Sequence, residues 1–142
     1  TTIAFAPNVP DPLRTKAYTA FQAIGRAILL EEKFFDAAVA LSGSGPAYAC
    51  LLIEAMTQAG TELGLHPSHA QELSIHAILG GAALAAETSQ PPEEIRKQIS
   101  SPGGTTLAAL SVFEDAHTRE IIRRAVFAAA ARSAELGKLL PK

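Results

Sequence analysis

Tryptophan is absent from this 142-residue chain, cysteine occurs once, and only 6% of positions are aromatic. The aromatic and β-branched residues that favour a β-sandwich are therefore scarce. The apolar 48% is mainly Ala, Leu and Ile, which suits closely packed helices. A lone Cys50 excludes an internal disulfide and fits a reducing, cytoplasmic compartment. Charge of one sign is also lacking: 12 Lys and Arg against 14 Asp and Glu leave a net −2. No basic cluster is dense enough to neutralise a phosphate backbone, so nucleic acid is not an expected partner. No apolar run reaches the roughly eighteen residues of a membrane span, and no signal peptide is visible, so no membrane is expected. No Gly-x-Gly-x-x-Gly follows a strand-like segment, which leaves no fingerprint for holding a dinucleotide. One soluble helical domain with a single core is expected at this length.

What is present is helix punctuated by proline and glycine. Thr1 to Phe5 is a short β-prone run stopped by Pro7-Asn8-Val9-Pro10. Asp11-Pro12 then opens a helix with Leu13, Ala17, Phe21 (or Ala20) and Ile24 on one face, ended by Gly25. Ala27 to Leu30 reads equally as a strand or as a tail of that helix. Glu31 to Leu41 reads as a helix with Phe34, Phe35, Ala38 and Leu41 inward. After Ser42-Gly43-Ser44-Gly45, Pro46 to Leu63 forms a nearly all-apolar helix, capped by Gly64, that must be buried centrally or against another subunit. The next helix runs from Pro67-Ser68 to Glu87 or Thr88, with Leu73, Ile75, Ala77, Ile78, Leu79 and Leu84 inward. Its Gly80-Gly81-Ala82-Ala83 stretch invites close helix approach. A last helix opens at His117-Thr118 and ends at Gly137.

Ser100-Ser101-Pro102-Gly103-Gly104-Thr105-Thr106 is the segment that points to chemistry. A helix from Pro92 to Ile99 precedes it, and one from Leu107 to about Asp115 follows. Pro102 cannot continue the first helix, and the glycines permit backbone angles closed to other residues. Thr105 or Thr106 is expected at the N-cap, its hydroxyl beside the open N–H groups of a helix start. Such a corner suits a small anion, a carboxylate or phosphate.

The other candidates carry less. Ser44 lies between glycines, but position 42 is Ser where a nucleophile elbow needs Gly. His66, His69 and His76 lack the carboxylate or thiol that would complete a metal set, so capping or solvated histidines are expected and no metal. Cys50 is expected as a buried small hydrophobe, and Glu54 as facing a groove open to water.

Taken together, the stretches Ala40 to Tyr48 (with SGSGPAY), Gly64-Leu65, Ile99 to Leu110 (with SPGGTT) and Ala131 to Gly137 closely resemble the C-terminal half of pyrroline-5-carboxylate reductase. The match runs in order from about residue 11 to 138. The resemblance implies an all-α bundle, like the C-terminal domain of 6-phosphogluconate dehydrogenase, interleaving with a second copy into a homodimer or larger assembly. It implies an enzyme of proline biosynthesis that reduces the C=N bond of 1-pyrroline-5-carboxylate to L-proline with NADPH or NADH. In that family the SPGGTT loop holds the substrate carboxylate. Carried over, Ser101, Gly103, Gly104, Thr105 and Thr106 bind substrate, and Thr106 lies near the ring nitrogen as the catalytic residue.

The chain also departs from the family. Residues 1–10 are expected as a remnant of a nucleotide-domain strand or linker, and 11–142 as the helical domain. Asn8 and Pro10 stand where the family's arginine-x-methionine-Pro-Asn-Thr-Pro segment meets the cofactor, but the arginine, methionine and threonine are lost. Without a nucleotide-binding domain the chain alone is expected to be inactive. Two rivals remain: a helical dimerisation module without chemistry, and the same half of a related imine or oxo-acid dehydrogenase.

Overall fold

The computed structural model describes residues 1–139. It is almost entirely helical, in the order β1 (Thr2–Ile3), α1 (Asp11–Gln22), β2 (Ile28–Leu29), a 3₁₀ turn (Glu32–Phe34), α2 (Phe35–Ala38), a π turn (Val39–Gly43), α3 (Gly45–Glu62), α4 (Pro67–Thr88), α5 (Pro92–Gln98), α6 (Thr105–Asp115) and α7 (Thr118–Leu139). Two compact units divide these elements.

The first unit holds residues 1–44 and the part of α7 from Arg124 onward. The open choice at Ala27 to Leu30 resolves as strand: β2 pairs in parallel with β1, Thr2 opposite Ile28 and Ile3 opposite Leu29. Ile3 is buried by this arrangement. Between the strands, Arg14 ties the turn entering α1, donating from Nε to the Val9 carbonyl at 2.8 Å and from Nη2 to those of Ala6 and Pro7 at 3.1 and 3.2 Å. Helix α1 stops at Gln22, before the expected Gly25.

The single helix expected from Glu31 to Leu41 is instead a 3₁₀ turn, one short α segment and a π turn. The Ser44 N–H reaches back five residues to the Val39 carbonyl at 3.0 Å. The Ser42 hydroxyl donates to the Ala38 carbonyl at 2.7 Å, a back-bond that loosens a regular ladder. An extra residue in a turn rotates the following face by about 100°. Ala40 is consequently fully buried, while Leu41, expected inward, is 64% exposed. Asp36 accepts a 2.7 Å hydrogen bond from Ser133 Oγ, joining α2 to the second half of α7.

The second unit spans Gly45–Arg123, and α3 packing on α4 is its main helix contact. Gly64, at φ +99°, ends α3: its N–H donates to the Thr61 carbonyl and that of Leu65 to the Gly60 carbonyl, a Schellman closure. The close approach of the pair is at Gly60, where an added Cβ would lie 3.1 Å from Ala70 Cβ. The approach expected at Gly80-Gly81 is not there, since a Cβ at either meets nothing within 4 Å. His66 caps α4, its Nδ1 accepting from the Ser68 N–H at 3.4 Å.

Few side chains are covered. The buried apolar residues are Ile3, Ala38, Ala40, Ala70 and Ile95. Leu73 and Leu79, expected inward on α4, are 61% and 59% exposed, and Cys50 is exposed rather than buried. Glu54 is exposed, as expected. Gly137, expected to end α7, lies within it. The accessible surface is 10992 Å². The helical stretch Glu32–Glu62 also contains an 18-residue window apolar enough, by length and composition, to cross a membrane. The sequence expectation missed that window because Ser42 to Pro46 divides it into two segments; core helices of soluble proteins pass the same test when mostly buried, and this window is 6% buried in the single chain.

Candidate functional site

The Ser101 to Thr106 corner is built by a β-turn. Gly104 N–H donates to the Ser101 carbonyl at 3.0 Å, making Ser101 to Gly104 the four turn residues. Proline suits the second position, and Gly103 takes the third at φ +70°, a left-handed angle that a type II turn requires. Gly104 follows in extended conformation, φ −79° and ψ 168°, and is the N-cap of α6. The cap expected at Thr105 or Thr106 is corrected: both are already inside the helix, in its first turn, and no side chain caps it. The turn delivers an extended residue at position 104, so the helix begins earlier than the threonines suggest.

This changes which donors are open. The Gly104 amide, expected to face an anion, is occupied by the Ser101 carbonyl. Among the described residues, the N–H groups of Thr105, Thr106 and Leu107 have no acceptor; the first backbone bond of α6 runs from Ala108 N–H to the Gly104 carbonyl. Leu107 was missed by sequence reasoning. Reading Ser-Pro-Gly-Gly as a complete turn, with its last Gly as the cap, would have found it. The hydroxyls of Ser101, Thr105 and Thr106 likewise have no partner among the described residues. Thr106 is half-buried and Thr105 exposed.

Glycine at 104 suits a tight contact. An added Cβ would come 3.1 Å from the Ser101 carbonyl oxygen and 3.5 Å from Ser101 Cβ. The Ser101 side chain thus sits directly against the cap residue. No carboxylate occupies the first turn of α6, whereas that of α5 carries Glu93 and Glu94. The positive end of α6 is therefore free of a built-in competitor for an anion.

Ion pairs brace the surrounding helices. Glu114 at the far end of α6 accepts from Arg119 at 2.7 Å and stands 3.6 Å from Arg96 of α5. The hydrogen bond from Arg119, then its charge, holds the Glu114 carboxyl below the ordinary range and raises Arg119. Lys97 bridges Glu93 and Glu94 at 3.1 and 2.9 Å. Glu93, Arg96, Glu114 and Arg119 line a cleft of about 400 Å³ in the second unit, together with apolar Leu52, Leu110, Phe113 and Ile122.

The remaining candidates are not assembled into a site. Asn8 is exposed in the turn that Arg14 fastens, and Pro10 is the N-cap of α1. Neither the two-residue strands nor their connections form a strand, glycine turn and helix fit for a dinucleotide pyrophosphate. Among the described residues no three His, Cys, Asp or Glu side chains group as metal ligands.

A family model for pyrroline-5-carboxylate reductase dimerisation matches residues 32–136. The chain is 44% identical over 129 residues to the pyrroline-5-carboxylate reductase of Synechocystis, an alignment covering 91% of this chain and 48% of that protein. The structure of a pyrroline-5-carboxylate reductase from Coxiella burnetii superposes with a TM-score of 0.90 at 36% identity, over 95% of this chain and 50% of that one. The Plasmodium falciparum pyrroline carboxylate reductase with NADP bound gives 0.84 at 30% identity, over 96% of this chain and 53% of that one. The chain spans about half the length of the relatives it matches. It belongs to the pyrroline-5-carboxylate reductase dimerisation family.

Proposed function

We propose that this chain is the dimer-forming, carboxylate-binding half of a pyrroline-5-carboxylate reductase, which reduces the C=N bond of 1-pyrroline-5-carboxylate to L-proline. The observation that carries the reading is the α6 start. Three open backbone amides, those of Thr105, Thr106 and Leu107, lie at the positive end of a helix whose cap residue, Gly104, has the Ser101 Cβ against it. Backbone donors fixed in a turn need no reorganisation when a carboxylate arrives, so they orient substrate at little entropic cost.

With the carboxylate so held, the half-buried Thr106 hydroxyl stands nearest the ring nitrogen and delivers or relays the proton that nitrogen takes up. NADPH or NADH is the hydride donor of the whole enzyme. This chain's proposed part is binding, orientation and the proton at nitrogen.

The homodimer follows from surface. The single chain's 10992 Å² of accessible surface leaves ample area for an obligate interface, which buries about 2,000–5,000 Å² over both partners. Much of it is apolar side chain on α3, α4 and α7. A second copy covering those faces accounts for a chain with so little core of its own. Light scattering should give a dimer or a multiple of it at micromolar concentration; a stable folded monomer would contradict this.

The test of the reading is pyrroline-5-carboxylate-dependent oxidation of NADPH by the chain, alone and mixed with a nucleotide-binding domain of the family. Activity on mixing is expected, and Thr106→Val should lower kcat by about 100-fold, the scale of one positioned proton donor. Association of the two pieces without turnover would favour a dimerisation module without chemistry. Undiminished turnover by the Val variant would remove Thr106 from its role.

A further inference from the structure

We infer that Ser100 is a positioning residue that aims the Ser101 hydroxyl at the open amides of α6, an inference that rests on the carboxylate reading above. Ser100 makes two bonds to the end of α5. Its Oγ donates to the Arg96 carbonyl at 2.6 Å, and its N–H donates to the Lys97 carbonyl at 3.2 Å. Both acceptors belong to the last turn, whose carbonyls have no partner within the helix. α5 is itself anchored by buried Ile95. Ser100 is half-buried, and nothing in the proposed chemistry otherwise uses it.

The turn beyond it is stiff. Pro102 fixes one angle, Gly103 occupies the left-handed region, and the Gly104 N–H closes on the Ser101 carbonyl. The soft joint between α5 and this turn lies at Ser100 and Ser101. Rotation about the Cα–C bond of Ser101 moves its backbone nitrogen and its Cβ together, because both are bonded to the same Cα. Whatever fixes the chain direction back into α5 therefore fixes the direction of the Ser101 Cα–Cβ bond, from which the hydroxyl takes one of its staggered positions. Ser101 Cβ lies against Gly104, next to the first open amide, so a small rotation there carries the hydroxyl on or off an anion seated at Thr105 to Leu107. The Ser100 hydroxyl bond is the shorter of the two that resist this rotation.

The experiment is calorimetric titration of the full chain with L-proline, the stable product carboxylate, in a double-mutant cycle of Ser100→Ala and Ser101→Ala. Ser100→Ala should weaken proline binding roughly fivefold, the scale of one hydrogen bond. It should add nothing in the Ser101→Ala background, because it acts through that hydroxyl. Ser100→Thr, which keeps the donor, should restore affinity to within about twofold. If the alanine variant fails to fold, Ser100→Cys, close in size with a far weaker donor, should show the same loss. Wild-type affinity in a folded Ser100→Ala chain, or additive losses in the double variant, would overturn the inference while leaving the carboxylate reading standing. A wild-type chain that binds no proline would overturn both.

Discussion

Two glycine corners of similar composition do opposite things in this molecule. Around Ser42 to Gly45 the polar groups turn back into the helix they interrupt. The Ser42 hydroxyl bonds the Ala38 carbonyl, the Ser44 N–H bonds the Val39 carbonyl, and Pro46 has no N–H to offer. Around Ser101 to Thr106 one internal bond closes the turn, and the next three amides are left open at a helix start free of acidic side chains. Glycine and serine content does not separate the two. The position of proline does: at the second place of a turn it ends one helix and lets another begin afresh.

The sharpest way to break this comparison is one substitution at both corners. Gly104→Ala should weaken proline binding by about tenfold, because its Cβ would come 3.1 Å from the Ser101 carbonyl oxygen and the turn must shift by a few tenths of an ångström to admit it. Gly45→Ala meets nothing within 4 Å and should raise thermal stability by about 0.5 kcal/mol through the unfolded chain, with proline binding kept. Equal effects at the two sites would end the distinction.

Gly60→Val offers a control in which glycine serves packing alone. Its Cβ would crowd Ala70 on α4, so a loss of about 2 kcal/mol in urea unfolding is expected. Arg14→Ala removes three hydrogen bonds to the turn before α1 and should cost about 1 kcal/mol in the same measurement, its group being partly wet.

The smallest effect belongs to the ion pairs. Glu114 has a carboxyl lowered in the folded chain, so its stabilisation is present above the ordinary value of 4.5 and fades as pH falls through the lowered one. Glu114→Gln should flatten that acid limb of the unfolding midpoint slightly, and it should leave stability at pH 7 almost unchanged because the pair is exposed.

Much of this was readable in the residues. Gly64 announced the end of α3 and Pro67 the start of α4. What could not be read depended on partners far along the chain or outside it. Thr1 to Phe5 could not disclose that Ile28–Leu29 would pair with β1, since parallel pairing joins segments that share no local signal. The π turn that exposes Leu41 is an insertion of one residue, invisible to a fixed helical period. The inward faces assigned to α4 were apolar as read, yet they are exposed in the single chain, because periodicity tells which face seeks cover and not what covers it. The N-cap was misplaced because threonine is the commoner capping residue, and the turn that makes Gly104 the cap overrides that preference.

The most direct measurement is the backbone amide NMR spectrum of the chain titrated with L-proline. The account predicts saturable shifts centred on the amides of Thr105, Thr106 and Leu107, with Ser44 and Gly45 unmoved. Saturable shifts centred on Ser42 to Gly45, or none at the start of α6, would contradict it.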